Sequence, residues 1–325
     1  MAQTYDIIGD VHGRASVLLA LLGKLGYQRQ GKRWSHGEDR RLIFLGDLID
    51  VGPQQRETLM TVRELIDSSI AQCVMGNHEF NAICYATPNA SNAGDYLRSH
   101  REPWGQHNQQ QHQAFLIEFA PSSADSREWI NWMLGLPLWI EIDELRVVHA
   151  CWNQETINRL SASLHRNRLS PDQLASACDE TTTLGADVAM LLKGPELPLP
   201  ANLTFLDRSG HTRDHVRRAW WRTPTSTYGA AALPSAGVVL PTWDEPLPAE
   251  LSFSYTESTP TFFGHYCFVD MPLLVGRRTV CLDSCVARGH HLTAYRWSGE
   301  TELTRDHIIS VSGASGLTPS RYVPV

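Results

Sequence analysis

The sequence predicts an α/β fold built on a parallel sheet. Short apolar, β-prone runs at residues 4–8, 41–45 and 70–75 are each followed by a polar cluster. Between them, apolar residues recur at helical spacing. The resulting order, β-α-β-α-β, sets strands side by side with crossover helices. It gathers the polar clusters on one sheet edge, where open α/β sheets hold their ligands.

The first run ends in Gly9-Asp10-Val11-His12-Gly13. Val17, Leu18, Leu21, Leu22 and Leu25 then mark a helix that Gly26 closes. Asp10 and His12 therefore fall in a strand-to-helix loop. Two residues apart on an extended segment, they share a side and suit one metal ion. A phosphate-cradling loop competes with this reading, but no Gly-Lys-Ser/Thr follows. Residues 28–40 are polar, with Gly31 and Gly37, and read as a hairpin or loop. The second run leads into Gly46-Asp47-Leu48-Ile49-Asp50-Val51-Gly52-Pro53, and Leu59, Val62, Leu65 and Ile66 mark the next helix. The third run ends in Gly76-Asn77-His78-Glu79, where Gly76 permits a sharp turn. Asn77 offers an amide oxygen to a metal, and His78 can ligate or donate a proton.

Residues 87–113 are polar and Gln-rich and include His100, His107 and His112. They read as a surface loop, with a substrate-facing lid as the sharper alternative. Residues 114–119 and 127–134 read as helices. Residues 138–142 and 146–150 read as a hairpin around Asp143-Glu144, ending in Val148-His149-Ala150. Residues 155–194 read as helical. Eight of the 18 prolines fall in 195–248. This points to an insertion over about 153–248 that covers one side of a single domain spanning 1–325. The insertion carries Arg213, Arg217, Arg218, Trp220, Trp221 and Arg222, the chain's most basic patch. Such a patch suits either a solvated strand face with an aromatic anchor or a phosphate-binding arginine pair. The strand at 260–264 ends in Gly264-His265, and 279–283 and 292–297 read as further strands. Asp283 supports a ligand or forms a turn, and the tail from 310 is expected to fray.

Apolar content of 42% supports a substantial core. A net charge of −7 argues against general affinity for nucleic acid or membranes. No run approaches the ~20 apolar residues of a membrane span, and no signal peptide is visible. Seven cysteines without a framework spacing suit a reducing cytoplasm.

Carboxylates, imidazoles and an amide at successive strand ends form a mixed N/O set for two divalent ions. Manganese is the first choice, with iron, zinc or cobalt admitted. A carboxylate can bridge two ions ~3.5–4 Å apart, the spacing used for in-line displacement at phosphorus. One ion polarises the phosphoryl oxygen, and a bridging hydroxide attacks. The leaving oxygen needs a proton, so one histidine stays off the metals. His78 is the candidate general acid, because its neighbour Asn77 would take the ligand position. Asp50 can hold its tautomer and raise its pKa.

Gly9-Asp10-Val11-His12-Gly13, Gly46-Asp47-x-x-Asp50, Gly76-Asn77-His78-Glu79, Val148-His149-Ala150 and Gly264-His265 resemble, in order, the motifs of calcineurin-like metallophosphoesterases. The bacterial phosphoprotein-phosphatase and diadenosine-tetraphosphatase branch is the most similar. The resemblance spans residues 9 to 265. It implies a four-layer α/β/β/α sandwich in place of a simple doubly wound sheet. It implies Asp10, His12 and Asp47 on one ion, Asp47 as the bridge, and Asn77, His149 and His265 on the other. It makes His78 the acid and Asp50 its partner. The second histidine that some branches carry is absent, since Tyr266-Cys267 follows His265. Val51 stands where the branch usually has a phosphate-contacting arginine. Arg56, about one turn on, either substitutes for it or only covers the helix surface, the second reading having the greater weight. Trp221-Arg222 fits the pattern of the other phosphate arginine, with Arg218 in reserve. The implied substrate is a phosphomonoester, a phosphoprotein or a dinucleoside polyphosphate. A nuclease or RNA-end phosphatase is the alternative, disfavoured by the acidic charge. A non-catalytic scaffold is the remote reading, because every ligand position is filled.

Overall fold

The structure, a computed structural model, describes residues 3–142, 144–200, 203–206, 212–233, 244–269 and 271–314. The expected turn residue Asp143, part of the expected insertion and the tail beyond 314 lie outside the described residues.

The chain opens with β1 (Tyr5–Ile8), α1 (Ala15–Leu25), the hairpin β2 (Tyr27–Gln30) and β3 (Arg33–His36), β4 (Arg41–Phe44), α2 (Gln55–Asp67), β5 (Ala71–Cys73) and α3 (Asn77–Ala86). Next come α4 (Gly105–Gln111), α5 (Gln113–Glu118), α6 (Ala124–Leu134) and the hairpin β6 (Trp139–Ile142) and β7 (Leu145–Val148). Three helices follow, α7 (Gln154–Ser163), α8 (Leu174–Ala177) and α9 (Thr183–Lys193). Then come β8 (Glu196–Pro198), β9 (Phe205–Leu206), β10 (Thr212–Arg213), β11 (His215–Arg217) and α10 (Tyr228–Ala231). The last strands are β12 (Thr261–Phe263), β13 (Thr279–Cys281), β14 (His291–Trp297) and β15 (Ile308–Ser312).

Two sheets carry the architecture, with strand orders β15-β14-β1-β4-β5 and β13-β12-β7-β6. β1, β4 and β5 run parallel, as the sequence predicts. β14 joins β1 antiparallel and β15 joins β14 antiparallel, so the first sheet is mixed. Strand alternation sets the layers. Ile7 and Ile43 share a buried cluster with Ile140, Val147, Phe262 and Val280 of the other sheet. Their neighbours Ile8, Leu42 and Phe44 belong instead to the cluster that holds Leu18, Leu21, Leu59 and Val62 of α1 and α2. On the second sheet, Val148 joins that cluster with Leu191 and Leu192 of α9. Each such buried side chain contributes about 1.5–3 kcal/mol. The result is the helix, sheet, sheet, helix order of the expected four-layer sandwich.

Two expectations need correction. Residues 87–113 are not simply a surface loop: they contain α4, and His112 at its end is 1% exposed. The glutamine-rich stretch has no apolar stripe, so helical periodicity gives no signal there. The cysteines are not all free thiols. Cys84 is joined to Cys178 and Cys267 to Cys285, leaving Cys73, Cys151 and Cys281 free. Two disulfides remove the support that cysteine usage lent to a reducing compartment. The described part of 195–248 has a small core of its own: Leu197, Val216, Tyr228, Ala231 and Ala232. Trp220 ties it to the end of β7, donating from Nε1 to the Ala150 carbonyl at 2.9 Å. Trp220 and Trp221 both pack on Phe263. No helix among the described residues is long and apolar enough to cross a membrane.

Candidate active site

The polar clusters meet where the loops after β1, β4 and β5 face those after β7 and β12. Two of these turns touch. A Cβ on Gly46 would lie 2.4 Å from the Gly76 nitrogen, and one on Gly76 would lie 2.2 Å from Asp47 Oδ1. Only glycine allows both approaches, and Gly46 also needs its φ of +89°. His12, Asp47, Asp50 and His265 all adopt left-handed backbone conformations, with φ of 49°, 48°, 68° and 72°. Such strain in non-glycine residues gathers at functional sites.

Asp47 stands at the centre. Its Oδ2 lies 3.7 Å from His12 Nε2 and 3.9 Å from His78 Nε2, and its Oδ1 lies 3.4 Å from His149 Nε2. The first two gaps exceed hydrogen-bond range and leave room for an ion between the groups. Burial alone would raise the Asp47 carboxyl, but His149, His78 and His12 outweigh it and hold it well below the usual range. Asn77 Oδ1 lies 2.9 Å from His149 Nε2 and 2.8 Å from His265 Nδ1. The other ring nitrogens of His12 and His149 are fixed by backbone carbonyls, Ile49 at 3.1 Å and Leu45 at 2.7 Å. Asp10 Oδ2 accepts the His265 backbone N–H at 3.0 Å. Its Oδ1 is buried without a hydrogen-bond partner among the described residues. Burial, with Asp283 and Asp47 beside it, raises the Asp10 carboxyl well above the usual range. Burial lowers His265 well below its usual value, and the Arg217 charge adds to this.

Among the described residues, two groups bring their ligand atoms close enough to hold an ion: His12, Asp47 and His78, and Asp47, His149 and His265. The donor set, its shared carboxylate and the orphaned Asp10 oxygen fit divalent ions. The first group contains His78, which the sequence reading keeps off the metals. His78 Nδ1 is already committed to Asp50 Oδ2 at 2.7 Å, so Nε2 is the nitrogen that faces Asp47. Burial pulls His78 down, but Asp47 and Asp50 win and raise it to about 9.

Several groups at this site escaped the sequence reading. Glu79 is fully buried and braces both turns. Its Oε2 accepts from the Asp47 and Gly76 nitrogens, and its Oε1 from those of Leu48 and Ile49, at 2.8–3.3 Å. His112 Nδ1 reaches Asp50 Oδ2 at 2.9 Å. Burial would raise Asp50, yet His112 and then His78 bring it to about 2. Arg98 is close enough for its charge to act on Asp50. Asp283, which the sequence marks as a ligand support or a turn former, accepts from the Cys267 and Cys285 nitrogens and so supports the loop that carries His265.

The arginines differ in their surroundings. Arg56 is held by the Glu118 carbonyl and the Asp125 carboxylate, over the Phe119 ring. Arg218 is buried, bonded to the Leu251 carbonyl and Thr225, over Phe253. Both guanidiniums are structural ties. Arg222 is exposed, and its guanidinium has no partner among the described residues. Arg217, named only within the basic patch, lies over Tyr266 at 5.7 Å and acts on His265. A cleft of about 830 Å³ runs along α3 past Phe80 and Asn81, with Arg98, Trp104 and Lys193 on its walls.

A family model described as calcineurin-like phosphoesterase matches residues 4–168. A stretch of 74 residues is 42% identical to a bis(5'-nucleosyl)-tetraphosphatase PrpE [asymmetrical] of Halalkalibacterium halodurans, covering 23% of this chain and 30% of that protein. The protein of the same name from Oceanobacillus iheyensis is 41% identical over 73 residues, covering 22% and 29%. The chain thus matches less than a third of the length of these relatives. Among solved structures, a cold-active protein-tyrosine phosphatase of a Shewanella species is similar over 96% of this chain and 80% of its own, with 15% identity and a TM-score of 0.47. The family match begins at the start of β1 and runs beyond His149, taking in four of the five motifs that converge on Asp47, and on this match the chain belongs to the calcineurin-like phosphoesterase family.

Proposed function

We propose that this protein hydrolyses phosphate esters or anhydrides. Two divalent ions would be held by Asp10, His12, Asp47, Asn77, His149 and His265, with Asp47 common to both. When bound, the ions supply Lewis-acid polarisation of the phosphoryl group and an acidified water as nucleophile. The carrying observation is the pairing of His78 with Asp50 at 2.7 Å. The carboxylate accepts a hydrogen bond from Nδ1–H and fixes the ring, so Nε2 presents a proton to the leaving oxygen. The raised His78 pKa keeps that proton in place at neutral pH. Asp50 stays ionised throughout and favours the imidazolium.

Arg217 and the exposed Arg222 are the candidate phosphate-binding cations. The cleft along α3 starts about one helical turn beyond His78 and gives the leaving group room. The substrate is a small phosphorylated molecule or a phosphoprotein. The name of the bacterial relatives favours a dinucleoside tetraphosphate among the small molecules.

The test is turnover by purified protein with manganese, iron, zinc or cobalt. The substrates are 4-nitrophenyl phosphate, a phosphopeptide and diadenosine tetraphosphate. Release of product from none of them would overturn the proposal. Asp47→Asn is expected to lose at least one of the two ions by elemental analysis. Full occupancy in that variant would remove Asp47 as the shared ligand.

A further inference from the structure

Asp50 makes an arrangement that its pairing with His78 does not require. Its carboxylate is fully buried, and its Oδ2 faces two imidazoles, His78 Nδ1 at 2.7 Å and His112 Nδ1 at 2.9 Å. A carboxylate only accepts, so both rings donate to the same oxygen. Oδ1 has no hydrogen-bond partner among the described residues. The terminal torsion of an aspartate is soft and roughly two-fold. With His78 alone, either oxygen could face the ring, and the carboxylate plane would be poorly fixed. The second N–H, arriving from the junction of α4 and α5, selects one oxygen and one plane.

We propose that His112 is a positioning residue for proton transfer, the third member of a His78–Asp50–His112 chain. This rests on the proposed hydrolytic role of His78. The segment that supplies His112 also supplies Arg98, whose charge acts on Asp50. Both act on Asp50, the residue before Val51 in the chain. His112 does not face the metal ligands: its contacts are Asp50 and the Tyr85 ring at 5.4 Å.

The surroundings of His112 supply a specific test. Its Nε2 is buried with no hydrogen-bond partner among the described residues. The ring lines a cavity of about 400 Å³ that also contains Tyr85, Tyr96, Phe115 and Ile130. Removing the imidazole therefore opens a space continuous with an existing cavity, where free imidazole can take the missing position.

His112→Ala is expected to lower kcat for phenyl phosphate by about 10- to 100-fold, the usual effect of a group that orients a catalytic one. Turnover of 2,4-dinitrophenyl phosphate, whose leaving group needs no proton, should fall much less. Added imidazole should restore most of the loss on phenyl phosphate. His112→Asn, whose amide nitrogen reaches the Nδ1 position, should retain more activity than the alanine variant. Equal losses on both substrates, or a loss that imidazole leaves untouched, would overturn the role of His112. Should the alanine variant not fold, His112→Phe, which fills the volume without the N–H, replaces it against His112→Asn on the same pair. There, leaving-group-independent loss again overturns the role. Wild-type protein inactive on both aryl phosphates with every ion would instead sink the hydrolytic reading itself.

Discussion

Glu79 lies beneath Asp47 and accepts its backbone N–H at 2.8 Å, while the same oxygen accepts that of Gly76. One side chain thus fixes the distance between the turn that offers the central carboxylate and the turn that offers Asn77. Glu79→Ala leaves four N–H groups without their acceptor, at ~1–3 kcal/mol for each that stays buried and unmade. That is a large part of a typical domain's stability. Glu79→Gln keeps one oxygen and should fold, with metal affinity lowered about 10- to 100-fold. Melting curves and calorimetric metal titration of the two variants distinguish these outcomes.

His78→Ala should retain its metal content and lose turnover of substrates with poor leaving groups, while activated aryl phosphates are less affected. The loss expected from a general acid is about 10²- to 10⁴-fold. Metal analysis beside a leaving-group series measures both halves. An equal loss across the series would make His78 a ligand, as its closeness to His12 and Asp47 allows.

Asp50 ties stability to pH in the metal-free protein. Its folded pKa of about 2 lies below the ordinary aspartate value. A depressed carboxyl contributes stability that is present above the unfolded pKa and is lost as pH falls through the folded one. The shift corresponds to roughly 2 kcal/mol. Urea midpoints of wild type and Asp50→Asn in chelator should differ at pH 7 and converge as pH drops from about 4 toward 2. A gap that persists unchanged at pH 3 would contradict the ionic role.

Arg217→Gln should raise KM for a phosphate ester about tenfold, the loss of one charge-assisted contact of ~1.5 kcal/mol. Arg56→Gln should leave KM where it is, because its guanidinium is occupied by Glu118 and Asp125. Arg218→Gln should lower the melting temperature by cutting the tie to Leu251 and Thr225. Steady-state kinetics and a thermal melt on the three variants separate the anchor from the ties.

The cluster of candidate ligands was legible because each of them sits in a short motif directly after a strand. Backbone geometry then delivers it to the sheet edge with little help from distant residues. His112 was not legible. It reaches Asp50 from 62 residues away, in a stretch whose helix shows no apolar face. Arg217 was overlooked for another reason. The tryptophan-arginine pattern points to Arg222, and only the pairing of β11 with β8 and its contact with Tyr266 bring Arg217 toward His265. The disulfides join cysteines 94 and 18 residues apart, spacings that match no local framework.

The candidate ligands straddle the seam of the sandwich. Asp10, Asp47 and Asn77 follow strands of one sheet, while His149 and His265 follow strands of the other. Any ion held among them is a rivet between the two halves, and sliding one sheet past the other would pull its coordination apart. Folding stability must then track metal concentration, by ~2.7 kcal/mol at a hundred times the dissociation constant. A chelator would loosen the protein's frame in the same act that stops its chemistry.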